Sequence, residues 1–343
     1  MKRFYLVLAV TCLALSACNA PASKSGEQVV NLYTARHYDS DLALYEQFTE
    51  QTGIKINRIE GKADELVARM KAEGANSPAD VFIAADAGAL WRAQEAGLFQ
   101  PVESQSLTAR VPENLREPDG NWYGFSRRAR VVAYDPVKVK PEEIDDYAEL
   151  AGPRFKGKIC VRSSENIYNL SLAGALIEAL GQEKARDWAK GIAANMARPP
   201  EGGDRDQIRA VAAGICEIAI TNTYYYIRMA SGEDAGDRAV TEKVKLGFPS
   251  LDGQGTHVNI SGGGVARNAP NKANAIKLLE FFASANVQSH ISANNNEYPA
   301  SPDVPFPAPV DAYADFTAHP MNVAAFARRQ PEALTIMSAS GWR

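Results

Sequence analysis

Two hydrophobic periods share this chain. Val29-Val30-Asn31-Leu32-Tyr33 reads as a strand, and Ile54 to Ile59 alternates the same way. Between them, Ser40 to Thr52 sets Leu42, Leu44, Tyr45 and Phe48 near helical spacing, and Gly53 ends the run. Lys62 to Glu73 is amphipathic and closes at Gly74, Ala79 to Ala85 reads as a buried strand, and Ala87 to Ala96 predicts a helix stopped by Gly97. Strands alternating with short helices predict a parallel sheet covered on both faces.

A second alternating unit follows. Trp122 to Tyr134 reads as a long strand region, with helices between Leu170 and Asn195 and over Asp206 to Ala213. Ile218-Ala219-Ile220 is a strand, Tyr224 to Ala230 starts a helix, and Val244 to Phe248 is a strand again. Lys272 to Ala285 is a strongly amphipathic helix, and the proline-rich stretch Pro302 to Pro309 is expected on the surface. A chain of 343 residues exceeds what one core usually organises. The expectation is an α/β lobe of residues 28–128 and 250–300, a second of 129–249 and 301–343, and two chain crossings forming a hinge beneath a cleft. In such sheets, clefts facing the carboxyl ends of strands bind ligands.

The start of the chain bears on the compartment. Met1-Lys2-Arg3 is basic, Phe4 to Ala17 is almost wholly apolar, and Leu15-Ser16-Ala17-Cys18 follows. That is the layout of a secretory signal over residues 1–17, too short to span a bilayer as a mature helix. Small residues just before a cysteine resemble the bacterial lipobox, which implies cleavage before Cys18, a lipid on Cys18, and a polar tether over residues 18–27 holding the protein to the membrane. The net charge of −4 and the lack of a basic stripe argue against nucleic acid as a partner. Cys160 and Cys216 each sit in an apolar strand-like run. In an oxidising space they form either a disulfide or two buried thiols.

Tyrosine placement is the unusual feature. Tyr224-Tyr225-Tyr226 follows the strand Ile218-Ala219-Ile220 and Thr221-Asn222-Thr223. His37-Tyr38 lies in the same context after Tyr33, and Tyr168 follows Ile159-Cys160-Val161 and a polar loop. Taken singly, each tyrosine reads as packing, and 13 tyrosines are no large excess. Jointly, three strand ends aim phenols toward one side of a sheet. Fe(III) is a hard cation that prefers anionic oxygen, and it can displace the phenol proton otherwise held to a pKa of about 10. Fe(II) and Zn(II) repay that deprotonation less well, and the chain has only 4 histidines. Four phenolates around Fe(III) leave a charge of about −1. Arg228, one helical turn past Tyr224 and Tyr225, and Arg128 are candidate cations for lowering phenol pKa values or holding an anion; the alternative is solvated surface arginines.

Tyr33-Thr34-Ala35-Arg36-His37-Tyr38, Asn222-Thr223-Tyr224-Tyr225-Tyr226 and Asn296-Glu297-Tyr298-Pro299 resemble segments of the ferric-ion-binding proteins of ABC importers, in particular the tyrosine-rich FutA/IdiA type. The resemblance covers nearly the whole mature chain. It implies an α/β, two-lobed periplasmic-binding-protein (type II) Venus-flytrap fold with a two-strand hinge. It further implies a periplasmic monomer without enzymatic activity that carries Fe(III) to an ABC permease. The family's Asn-x-Tyr-Tyr motif supplies two ligands and falls on Tyr224 and Tyr225. The His-Tyr pair falls on His37 and Tyr38, and the second lobe's tyrosine on Tyr168. Some relatives leave the histidine outside the shell, and carbonate or water would complete it.

Other signals are discounted. Gly152 to Ile159 nearly spells a phosphate loop but has Ile159 in the Ser/Thr position and precedes a strand. Gly262-Gly263-Gly264 suggests close backbone packing or a turn, and His257, His290 and His319 stand alone. There is no nucleophile elbow and no zincin helix. Two competing readings keep the scaffold but change the chemistry: an organic solute such as a polyamine or sugar stacked on tyrosines, or an exported enzyme with Tyr or His as acid-base catalyst.

Overall fold

The computed structural model describes residues 28–36 and 38–343. The signal, Cys18 with its tether, and His37 lie outside the described residues. Chain order begins β1 (Val29–Thr34), α1 (Asp41–Thr52), β2 (Lys55–Glu60), α2 (Ala63–Glu73), β3 (Val81–Ala84), α3 (Ala87–Glu95) and α4 (Gln105–Arg110). It continues β4 (Tyr123–Tyr134), β5 (Ile159–Cys160), α5 (Ile167–Leu180), α6 (Gln182–Asn195), α7 (Asp204–Ala212), β6 (Ile218–Asn222), α8 (Thr223–Ser231), α9 (Ala235–Lys243) and β7 (Lys245–Gly247). Last come β8 (Val258–Val265), α10 (Lys272–Phe282), α11 (Ala285–Asn295), β9 (Tyr298–Pro299), α12 (Val323–Ala327) and α13 (Gln330–Ala339).

The first helix shows how the pattern is used. Its buried face is Asp41, Leu44, Tyr45 and Phe48, a stripe at helical spacing, while Leu42 is exposed. Asp41 is tolerated in that face because the Arg36 guanidinium pairs with both its oxygens, at 2.9 and 3.2 Å. Gly53 ends the helix at φ +70°, a conformation that costs other residues roughly 1 kcal/mol or more.

The strands run β2-β1-β3-β8-β4-β6-β5, with β7 and β9 also on β4. β1 is parallel to β2 and β3, and β5 to β6, but every pairing of β4 and β8 is antiparallel. The sheet is therefore mixed, where the alternation of strands and helices predicts a parallel one. Periodicity reports which face is buried, not strand direction. β4 belongs to both halves of the sheet: Tyr123 to Ala129 pair with β8, and Arg130 to Tyr134 with β6.

β8 escapes a periodicity reading because its middle is Gly262-Gly263-Gly264, which forms strand rather than turn. A Cβ on Gly262 would sit 2.3 Å from the Tyr123 carbonyl oxygen, and one on Gly264 would sit 2.2 Å from that of Asn121. Bare glycine lets β8 lie between β3 and β4. Cys160 of β5 and Cys216, just before β6, are joined as a disulfide with Cα atoms 5.8 Å apart, tying two parallel neighbours together.

Candidate metal centre

Three strand-to-helix junctions carry the phenols. Tyr38 lies between β1 and α1, and its carbonyl receives the Asp41 amide at 2.9 Å. Tyr168 stands in the first turn of α5, its amide bonded to the Asn166 side chain at 3.3 Å. Tyr224 and Tyr225 open α8 immediately after β6. The Tyr168 and Tyr224 hydroxyls are 3.2 Å apart, and the Tyr224 and Tyr225 ring centroids 4.1 Å. Tyr38, Tyr168, Tyr224 and Tyr225 line one cavity of about 450 Å³, with Arg36 and Arg228 on its wall. The Arg228 guanidinium spans the gap, 5.8 Å from the centre of the Tyr38 ring. Tyr226 turns away, its hydroxyl donating to the carbonyls of Thr241 and Val244 at 3.0 and 2.7 Å. The helical turn therefore sorts the triplet into two cleft phenols and one packing residue.

Arg128 is almost completely buried on β4. One terminal nitrogen donates to the carbonyls of Ala85 and Ile260 and to Ser261 Oγ, at 2.6, 3.0 and 2.9 Å. Its Nε and other terminal nitrogen are buried without a partner. A buried guanidinium with free donors is costly unless something anionic completes it. Arg128 acts electrostatically on Tyr38, Tyr168 and Tyr224 alike.

Burial pushes Tyr38, Tyr168 and Tyr224 above the ordinary phenol range, Tyr38 further through Glu297 and the other two through neighbouring phenols, while Arg128 opposes the rise in all three. They are protonated at neutral pH, so each requires a strong electrophile to ionise. Among the described residues no three His, Cys, Asp or Glu side chains converge as a metal site would require. Asp64 and Asp86 also line the cavity, but the donors that come together in it are phenols.

Each wall also holds a buried carboxylate to which sequence reasoning assigns no role. On the Tyr38 side Glu297 receives the Tyr38 hydroxyl at 3.3 Å, Ser261 Oγ at 3.2 Å and Ser126 Oγ, with Arg36 at 3.5 Å. Burial pushes its carboxyl up, but Arg128, Arg36 and the serines outweigh that and hold it below the usual range. On the facing side Asp204 takes Arg130 at 2.7 Å, Arg162 at 3.2 Å and the Asn222 amide at 2.7 Å. Arg130 and Arg162 then lie 5.9 and 5.8 Å from the Tyr168 ring centre. Membership of the quoted motifs is the sequence signal for Arg36 and Glu297; Asp204 carries none.

An α/β body of this topology with a polar cleft at its strand ends has the periplasmic-binding-protein fold. The chain belongs to the bacterial extracellular solute-binding protein family, whose sequence profile matches residues 76–318. It is 46% identical to iron uptake protein A2 of Synechocystis sp. over 345 aligned residues, 100% of this chain and 98% of that one. It superposes with TM-score 0.89 on the Trichodesmium IdiA/FutA structure in complex with iron and citrate ligands, at 51% identity over 92% of this chain and 100% of that one. The ferric binding protein of Campylobacter jejuni aligns with TM-score 0.86 at 37% identity, over 92% of this chain and 100% of that one.

Proposed function

We propose that this protein binds ferric iron in the cleft through Tyr38, Tyr168, Tyr224 and Tyr225 and delivers it to the permease of an ABC importer. The observation that carries the reading is the Tyr168–Tyr224 hydroxyl pair, 3.2 Å apart, beside Tyr225 and opposite Tyr38, with the unsatisfied donors of Arg128 adjacent. The names of the relatives, an iron uptake protein and a ferric binding protein, point the same way.

Four phenolates on Fe(III) carry about one net negative charge, which Arg128 inside and Arg228 at the rim offset. The cavity of about 450 Å³ leaves room for carbonate or water beside the ion. His37 stands beside Tyr38 in sequence and is a candidate fifth ligand. Loading and release follow from hinge motion of two lobes, residues 28–128 with 250–300 and residues 129–249 with 301–343, about the β4 and β7–β8 crossings. Packing of α13 on α5 and α6 supports counting the end of the C-terminal segment with the second lobe, while α12 lies between α5 and α3. The protein acts without catalysis, as a periplasmic monomer hung from the membrane by lipidated Cys18.

Ferric citrate titration tests the reading. Iron on phenolate should turn the protein orange to red, and Tyr224→Phe or Tyr225→Phe should weaken or shift the band. A colourless wild type would falsify it and leave the organic-solute or acid-base readings.

A further inference from the structure

The motif Asn296-Glu297-Tyr298-Pro299 contributes no cleft phenol, yet it places a fully buried carboxylate against one. Backbone geometry fixes Glu297 from both sides. Asn296 caps α11 at φ +59°, which Asn tolerates better than most residues, and β9 then pairs with β4 at Ser126 and Arg127. The two carboxylate oxygens have different partners. Oε2 takes Ser126 Oγ, Ser261 Oγ at 3.2 Å and Arg36 at 3.5 Å; Oε1 takes the Tyr38 hydroxyl at 3.3 Å. Charge balance for Arg36 does not require Glu297, because Asp41 already grips that guanidinium through both oxygens.

We infer that Glu297 is the positioning residue for Tyr38: Oε2 is locked by β4 and β8, so Oε1 holds the lone phenol of its wall at the height of the facing three. This rests on the phenolate reading above. Tyr38 sits in a junction loop, with Arg36 4.8 Å and Arg228 5.8 Å from its ring centre. Ring contacts of that kind leave the hydroxyl free to swing, and the bond to Glu297 removes that freedom. The bond belongs to the unloaded phenol: it holds the ligand in place before the ion arrives, which spares the ordering cost at binding, and it is given up when iron displaces the phenol proton.

The test is a double-mutant cycle on the rate of iron uptake from ferric citrate at fixed pH, read together with the charge-transfer band. Glu297→Asp keeps the charge but retracts it by one methylene from Tyr38. It should slow iron uptake about tenfold. In a Tyr38→Phe background the same change should alter the rate less than about twofold, because the group it acts through is gone. A purely structural role would give the same factor in both backgrounds, and that result, or a wild-type rate in Glu297→Asp alone, overturns the assignment. Glu297→Gln, of native length, runs the same cycle if Glu297→Asp does not fold. A wild type without colour sinks the phenolate reading itself; a coloured wild type with an inert Glu297→Asp sinks only this one.

Discussion

On one wall of the cleft a single phenol, Tyr38, stands in a loop and is held by a carboxylate that touches it; on the other, three phenols sit at helix starts and their carboxylate, Asp204, reaches them only through arginines and the Asn222 backbone. The first wall is organised by side chains from β4, β8 and the segment after α11. The second is organised by secondary structure, and the Cys160–Cys216 disulfide cross-links its strands. Rigid helix termini can present several ligands without individual support, whereas a loop ligand needs an anchor of its own. Disturbing the supports of the three-phenol wall should therefore show as lost stability, and disturbing the support of the single phenol as a changed uptake of iron.

Asp204→Asn probes the organised wall most severely. It leaves Arg130, 2% exposed, beside a neutral amide, and removing one partner of a buried ion pair costs about 3–5 kcal/mol. Denaturant unfolding should show that loss; a midpoint unchanged from wild type would mean the wall does not depend on Asp204. Reduction of the disulfide comes next. Opening a loop with a sequence separation of 56 should cost about 4 kcal/mol by chain entropy. Paired unfolding curves with and without reductant measure it, and coincident curves would count the bridge out as a stabiliser.

Ligand removal sharpens the contrast. Tyr224→Phe should lower ferric affinity on the order of 100-fold, since it takes a phenolate and its partner contact from Tyr168. Tyr38→Phe should cost about tenfold and leave most of the colour, three phenols remaining on the other wall. Equal losses in competitive titration would erase the distinction between the walls.

Near neutral pH the smallest effect belongs to the crossing that joins the walls. His257 is buried there, its carbonyl taking the Arg130 amide at 3.0 Å, and its ring edge-on to Phe326 with centroids 4.7 Å apart. Burial, with His319 and Arg130 nearby, pushes its pKa down to about 3. The unfolded chain binds that proton near the ordinary 6.5, so the folded state has its full stability above about pH 6.5 and loses it progressively toward pH 3. The slope should approach about 1.4 kcal/mol per pH unit within that window. His257→Asn should flatten it, and an unaltered slope would assign acid sensitivity elsewhere.

Much of the first wall's frame is legible along the chain. α1 follows its apolar spacing and the Gly53 stop, and β1 its alternation, since both signals are local. β8 is not, because three glycines in its centre remove the side chains that periodicity counts. The phenols of both walls are legible because a strand-to-helix junction is a local event that names its own residues. Glu297 and Asp204 are not, because a buried charge is explained by partners far along the chain: Ser126 lies 171 residues from Glu297, and Arg130 lies 74 from Asp204.

Sequence alone therefore determined which side chains stand at the three chain junctions, phenols with few imidazoles in the chain, and the alternating pattern that builds an α/β body around them. Tertiary structure decided which of those phenols meet, turned Tyr226 away from the cleft, and placed Arg128, Glu297 and Asp204 behind it. The reason is physical. Residue identity and local period are carried by the neighbouring chain, whereas the energy of a buried charge is set by whichever distant groups the fold packs around it.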